Sequence, residues 1–119
     1  MPQILKYLPV PALMLCFAAS LPLSAQSQAK TSEAQVISAA HKSAQLAGGA
    51  RFCKADPDSI EEFISISYAR INVLAKDDYE RVIGRLEFKN MLAAFSAKDP
   101  EGGCDSLIAT FKAVLRNTN

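Results

Sequence analysis

Residues 51–104 read RFCKADPDSIEEFISISYARINVLAKDDYERVIGRLEFKNMLAAFSAKDPEGGC, with one cysteine near the start, Cys53, and one at the end, Cys104. Asp56 before Pro57 is a helix-start signal. The carboxylate accepts from amides that have no intrahelical partner, and proline's fixed φ suits the first turn. Asp58, Glu61 and Glu62 add negative charge at the positive end of the helix dipole. Ile60, Phe63, Ile64, Ser67, Ile71 and Leu74 then recur at helical spacing. Phe63–Tyr68 alternates apolar and polar residues as a strand would, but the caps and the full window favour helix.

Asp77, followed three residues on by Glu80, repeats the capping pattern, and the apolar stripe slips across it. A break is therefore expected near Lys76–Asp78, with one long bent helix over 57–97 as the alternative. The third helix is expected to bury a stripe of Tyr79, Val82, Ile83, Leu86, Ala93, Ala94 and Ala97. A second row of Phe88, Met91, Leu92 and Phe95 makes its later turns apolar on most sides, which suits the centre of a bundle. Pro100 forces Asp99 out of helical geometry and ends it.

Downstream, Glu101-Gly102-Gly103 leads into a helix over 104–117 whose stripe is Cys104, Leu107, Ile108, Phe111, Val114 and Leu115. Upstream, a helix over 33–47 is expected, with Ser32 as cap and Gln35 completing a capping box. Its stripe of Val36, Ala40, Ala44 and Ala47 is small, and Gly48-Gly49 is expected to stop it. Residues 26–31 are short and polar and read as a flexible lead-in.

Before these lies a different composition. Lys6, an apolar run over Leu8–Ala19 and small residues over Ser20–Ala25 have the order of a secretory signal peptide, 1–25, cut after Ala25 or alternatively Ala29. The run carries Pro9 and Pro11 and falls short of the roughly 20 residues a spanning helix needs, so no stable membrane anchor is expected. Removing the segment also removes Cys16 and leaves Cys53 and Cys104, which in an exported chain read as one disulfide. The expected fold is all-α: a single small four-helix domain over 32–119 with that disulfide.

The whole chain has a formal charge of +1, and loss of Lys6 with the leader leaves acids and bases equal in number. With no block of like charge, nucleic acid and anionic membrane are poor partners. The cysteines form no CxxC, and no phosphate loop, dinucleotide fingerprint or calcium loop is present. His41, the one histidine, lies at the edge of the first helix's stripe with no evident carboxylate beside it. Asp56, Asp58, Glu61 and Glu62 are explained by helix capping, and Phe88, Phe95 and Phe111 by the core. No catalytic set, metal or cofactor is therefore expected.

What remains is Tyr68 and Tyr79, flanking the expected break, and Arg81 and Arg85, one turn apart: a candidate partner surface. The expected function is a non-catalytic binding or accessory role in the periplasm or outside the cell, through contact with another protein of the cell envelope. The alternative is an envelope-stress chaperone that opens at low pH, when its 12 carboxylates lose charge and net positive self-repulsion loosens the fold. A small hydrolase is a distant third.

Overall fold

A computed structural model describes residues 24–119, with side chains from Ser32 onward. The expected signal segment as far as residue 23 lies outside the described residues. Four helices follow: α1 Ser24–Phe52, α2 Pro57–Leu74, α3 Asp78–Ser96 and α4 Gly103–Thr118. Among the described residues there is no strand, and the fold is an all-α four-helix domain.

The helix at the centre is α1, not α3 as the apolar content of α3 suggests. It packs against all three others and most extensively against α3. The reason lies in the size of its buried residues. Val36, Ala40, Ala44, Ala47 and Ala50 are all 0% exposed. Side chains this small let neighbouring backbones come close on several sides, which a stripe of leucines would prevent. Gly84 of α3 lies where any Cβ would meet Val36 and Ile71, and Gly48 lies against Phe95 and the Leu92 carbonyl.

Gly48-Gly49 accordingly does not stop α1. Both glycines stay helical and buried, because they are the points where α3 and Leu107 of α4 press closest. The helix ends at Phe52, with Lys54 in the left-handed region at φ 57. The Lys54 amide donates to the Arg51 carbonyl (3.1 Å) and the Ala55 amide to the Ala50 carbonyl (2.9 Å), the paired bonds of a Schellman closure. The start differs too. Helix already covers the lead-in expected to be irregular over 26–31, whose alanine, two glutamines and lysine are good helix formers. Ser32 is thus inside α1 rather than its cap, and its hydroxyl donates to Glu80 of α3 at 2.9 Å.

The start of α2 follows the sequence. Asp56 accepts from the Ser59 amide (2.9 Å) and hydroxyl (2.8 Å). Ile60, Phe63, Ile64, Ser67 and Ile71 are buried, while Leu74 is left 36% exposed. Ser67 is tolerated inside because its hydroxyl donates to the Phe63 carbonyl at 2.7 Å. The break comes where expected: Asp77 caps α3 and accepts from the Glu80 amide at 2.9 Å. Buried Glu80 in turn accepts from the Lys76 amide at 2.7 Å, so both its neighbours and α1 are tied to it.

The rotation of α3 overturns the expected stripe. Its buried row is Glu80, Gly84, Phe88 and Leu92, with Ile83, Met91 and Phe95 half-buried. Tyr79, Val82 and Leu86, expected inside, are 64%, 63% and 55% exposed. The close approach of Gly84 to α1 decides this, since turning Val82 or Leu86 inward would turn the glycine outward. Along α4 only Phe111 is fully inside, packed edge-on against Phe63 with ring centroids 5.5 Å apart. Burying an aromatic of this size contributes roughly 1.5–3 kcal/mol.

Cys53 and Cys104 form a disulfide with Cα atoms 5.5 Å apart. The Cys53 amide still bonds to the Gly49 carbonyl at 2.9 Å, so the sulfur belongs to the end of α1 as much as to the approach to α2. The bond therefore ties the end of α1 to the first turn of α4.

Candidate interaction surface

Of the four residues singled out as a partner surface, the fold brings Tyr68 and Arg85 together. Tyr68 faces outward from the middle of α2, half-buried, its ring tilted on Phe88 at 4.9 Å between centroids. The Arg85 guanidinium of α3 lies over that ring, 5.7 Å from its centroid, and donates to Asn72 Oδ1 at 3.1 Å. Cation–π contact and a hydrogen bond to a neutral amide oxygen together hold the charge in one place. Arg81 instead turns to Asp78, one turn before it, and pairs with that carboxylate. Tyr79 does not join Tyr68; it stands on α3 one turn before Val82, largely in solvent.

The residues missed by sequence reasoning are apolar. Val82 and Leu86 continue outward from Tyr79 along α3, and Val73 at the end of α2 is 85% exposed. Tyr68, Val82, Arg85, Leu86 and Lys89 line an open groove between the two helices, and Asn72, Asp78 and Arg81 line its continuation. The slip of the stripe at Asp77 was the sequence signal for this. It marks a change of face, beyond which Tyr79, Val82 and Leu86 point away from the core.

The remaining candidates are occupied structurally. Asp56 is spent on its cap, and bonds from the Ser59 amide and then the Ser59 hydroxyl hold its carboxyl below the usual 3.8. Glu61 pairs with Arg51 at 3.0 Å. Both sulfurs of the Cys53–Cys104 pair are in the disulfide. His41 does have a carboxylate beside it: the crossing of α3 over α1 brings Glu87 to 3.6 Å from Nδ1, and Phe95 meets the ring edge-on. That pair bridges two helices at the surface. Among the described residues, no three His, Cys, Asp or Glu side chains converge as a metal would require.

A second concavity lies where α1, the end of α3 and α4 meet, around Gln45, Gly49, Phe95 and Leu107. Its rim mixes Lys98 with Asp99 and Glu101, and no described buried polar side chain lacks a partner there or elsewhere. No helix of the described residues is long and apolar enough to cross a membrane. No protein-family model, curated protein or solved structure matches the chain.

Proposed function

We propose that this is an exported, non-catalytic binding or accessory protein of the cell envelope, and that it engages another protein through the outward face of α3 and the α2 groove beside it. One observation carries the reading. Tyr79, Val82 and Leu86 hold apolar surface in water along one face of a helix whose opposite face is a well-packed core. Scattered surface leucines are ordinary, but a contiguous row beside a fixed arginine has the make-up of a contact site: apolar and aromatic residues with Arg, and few acids. The disulfide fits an oxidising compartment, and the order of residues 1–25 fits export to one.

Three measurements test it. Recovery of the protein from the periplasm or medium with Gln26 or Lys30 as its first residue supports export; retention in the cytoplasm with Met1 intact rejects it. A photo-crosslinking residue at Val82 should capture a partner in cells of the source organism, whereas one at Lys112, exposed on α4, should not. Equal capture at both positions, or none at Val82, rejects the surface. Turnover of an envelope substrate by the purified protein, abolished by a point substitution, rejects the non-catalytic role.

A further inference from the structure

The chemistry of the partner can be read from the charges on this face. Three arginines on the α1–α3 side of the molecule are held by defined contacts, and two of them reach carboxylates: Arg51 reaches Glu61, and Arg81 reaches Asp78. Arg85 reaches only neutral groups, the Asn72 amide oxygen and the Tyr68 ring. Among the described residues it has no carboxylate partner. Lys89, one turn on, lines the same groove and has none either. Of the three carboxylates of α3, Glu80 is buried and bonded to α1, Glu87 faces His41, and Asp78, at the far end of the groove, is paired with Arg81. Past the Asp78–Arg81 pair, the outward face of α3 around Val82, Arg85, Leu86 and Lys89 is therefore apolar with positive charge that no carboxylate answers among the described residues.

A guanidinium fixed by neutral contacts is prepared for an anion. Its orientation is already set, so little side-chain freedom is lost on binding, and its planar fork matches a carboxylate with two parallel bonds. Val82 and Leu86 lie beside it and need apolar cover. Resting on the reading of this face as a protein contact, we propose that its occupant is an acidic amphipathic helix. Leucine-like side chains would cover Val82 and Leu86, and a glutamate or aspartate flanking that stripe would pair with Arg85, with a second directed at Lys89. An anionic lipid surface is disfavoured: two cations are fewer than the cluster of about four to eight that recruits a protein electrostatically to a membrane. A second copy would have to present an acidic apolar helix, and at the acidic start of α2 the apolar residues Ile60, Phe63 and Ile64 are buried in the core, with Asp56 spent on a cap and Glu61 on Arg51.

The test uses the protein as recovered from cells and three probes. The first is a 20-residue helical peptide with leucines at helical spacing flanked by glutamates. The second is the same peptide with lysines for those glutamates. The third is vesicles of phosphatidylcholine with phosphatidylglycerol. Fluorescence anisotropy should show the glutamate peptide binding at least about tenfold more tightly than the lysine peptide. Arg85→Glu should abolish the preference, Val82→Ser should weaken both peptides, and added salt should weaken only the first. Far-ultraviolet circular dichroism and thermal unfolding of each variant confirm that the fold is retained. Equal binding of the two peptides, binding of neither, or binding to vesicles alone overturns the acidic-helix proposal. None of these touches the crosslinking result at Val82, so failure of the partner's chemistry and failure of the contact surface are told apart.

Discussion

At Gly48 the missing side chain is a packing requirement. A Cβ there would lie 2.6 Å from the Phe95 Cβ and 3.0 Å from both the Leu92 oxygen and the Phe95 carbonyl carbon. Two of these three atoms are backbone, so α3 itself would have to retreat from α1. Alanine's better helix propensity returns about 1 kcal/mol, whereas overfilling a tight core costs about 1–3 kcal/mol. Gly48→Ala should therefore destabilise by up to roughly 2 kcal/mol in urea unfolding. Gly49→Ala should cost less, since its Cβ would meet the end of the Leu107 side chain, which can turn aside. The reverse order, or a stabilised Gly48→Ala, would mean that the pair is spacing and not contact. Nothing local distinguishes a glycine pair that stops a helix from one that lets two helices touch, which is why the sequence pointed to an end at 48–49. The partner that decides it is Phe95, far along the chain.

Among the elements, what is set by neighbours in sequence was legible and what is set by distant contact was not. The caps at Asp56 and Asp77, the break between α2 and α3 and the buried row of α2 all follow from residues within a few positions of one another. The rotation of α3 does not. It depends on Gly84 meeting Val36 and Ile71, a contact that no local pattern reveals in a helix whose sequence offers two apolar rows. The same rotation made the surface: Val82 and Leu86 are exposed because the row Gly84–Phe88–Leu92 is not. Tyr68 and Arg85 were singled out in the sequence, but their stacking across two helices is a consequence of that crossing. The Asp56 cap carries a pH signature. Its carboxyl titrates below 3.8 in the fold, so the charged cap favours the folded state at pH above the unfolded value. That contribution disappears as pH falls through the folded value. Thermal unfolding should show wild type above Asp56→Ala by a constant margin from about pH 7 to about pH 5, narrowing under more acid conditions. A margin that stays constant throughout would assign the effect to side-chain volume and not to the charged cap.

For the whole molecule, the unequal attachment of α4 matters most. α2 and α3 follow α1 through short capped connections and share its buried alanine face, whereas α4 arrives after the non-helical 97–102 segment and buries only Phe111 completely. Its second attachment is the Cys53–Cys104 bond, which closes 51 residues of chain. In the chain-entropy account a loop of that size contributes about 4 kcal/mol, against roughly 5–15 kcal/mol for the net stability of ordinary domains. The pairing was legible from counting cysteines once residues 1–25, with Cys16, were set aside as an expected leader; that the bond anchors α4 to the central helix was not, because α1 was expected to stop before Cys53. Cys53→Ser with Cys104→Ser, or reduction of the native protein, should therefore lower the melting temperature sharply. The loss should also be uneven. Amide hydrogen exchange should accelerate first over Gly103–Thr118, with α1 keeping its protection longest, because opening α4 uncovers Phe63 while leaving the α1–α3 contact in place. Exchange that accelerates equally in all four helices would mean that α4 is an integral part of the cooperative core, and an unchanged melting temperature would mean that Phe111 and the half-buried row around it hold α4 without the sulfur bridge.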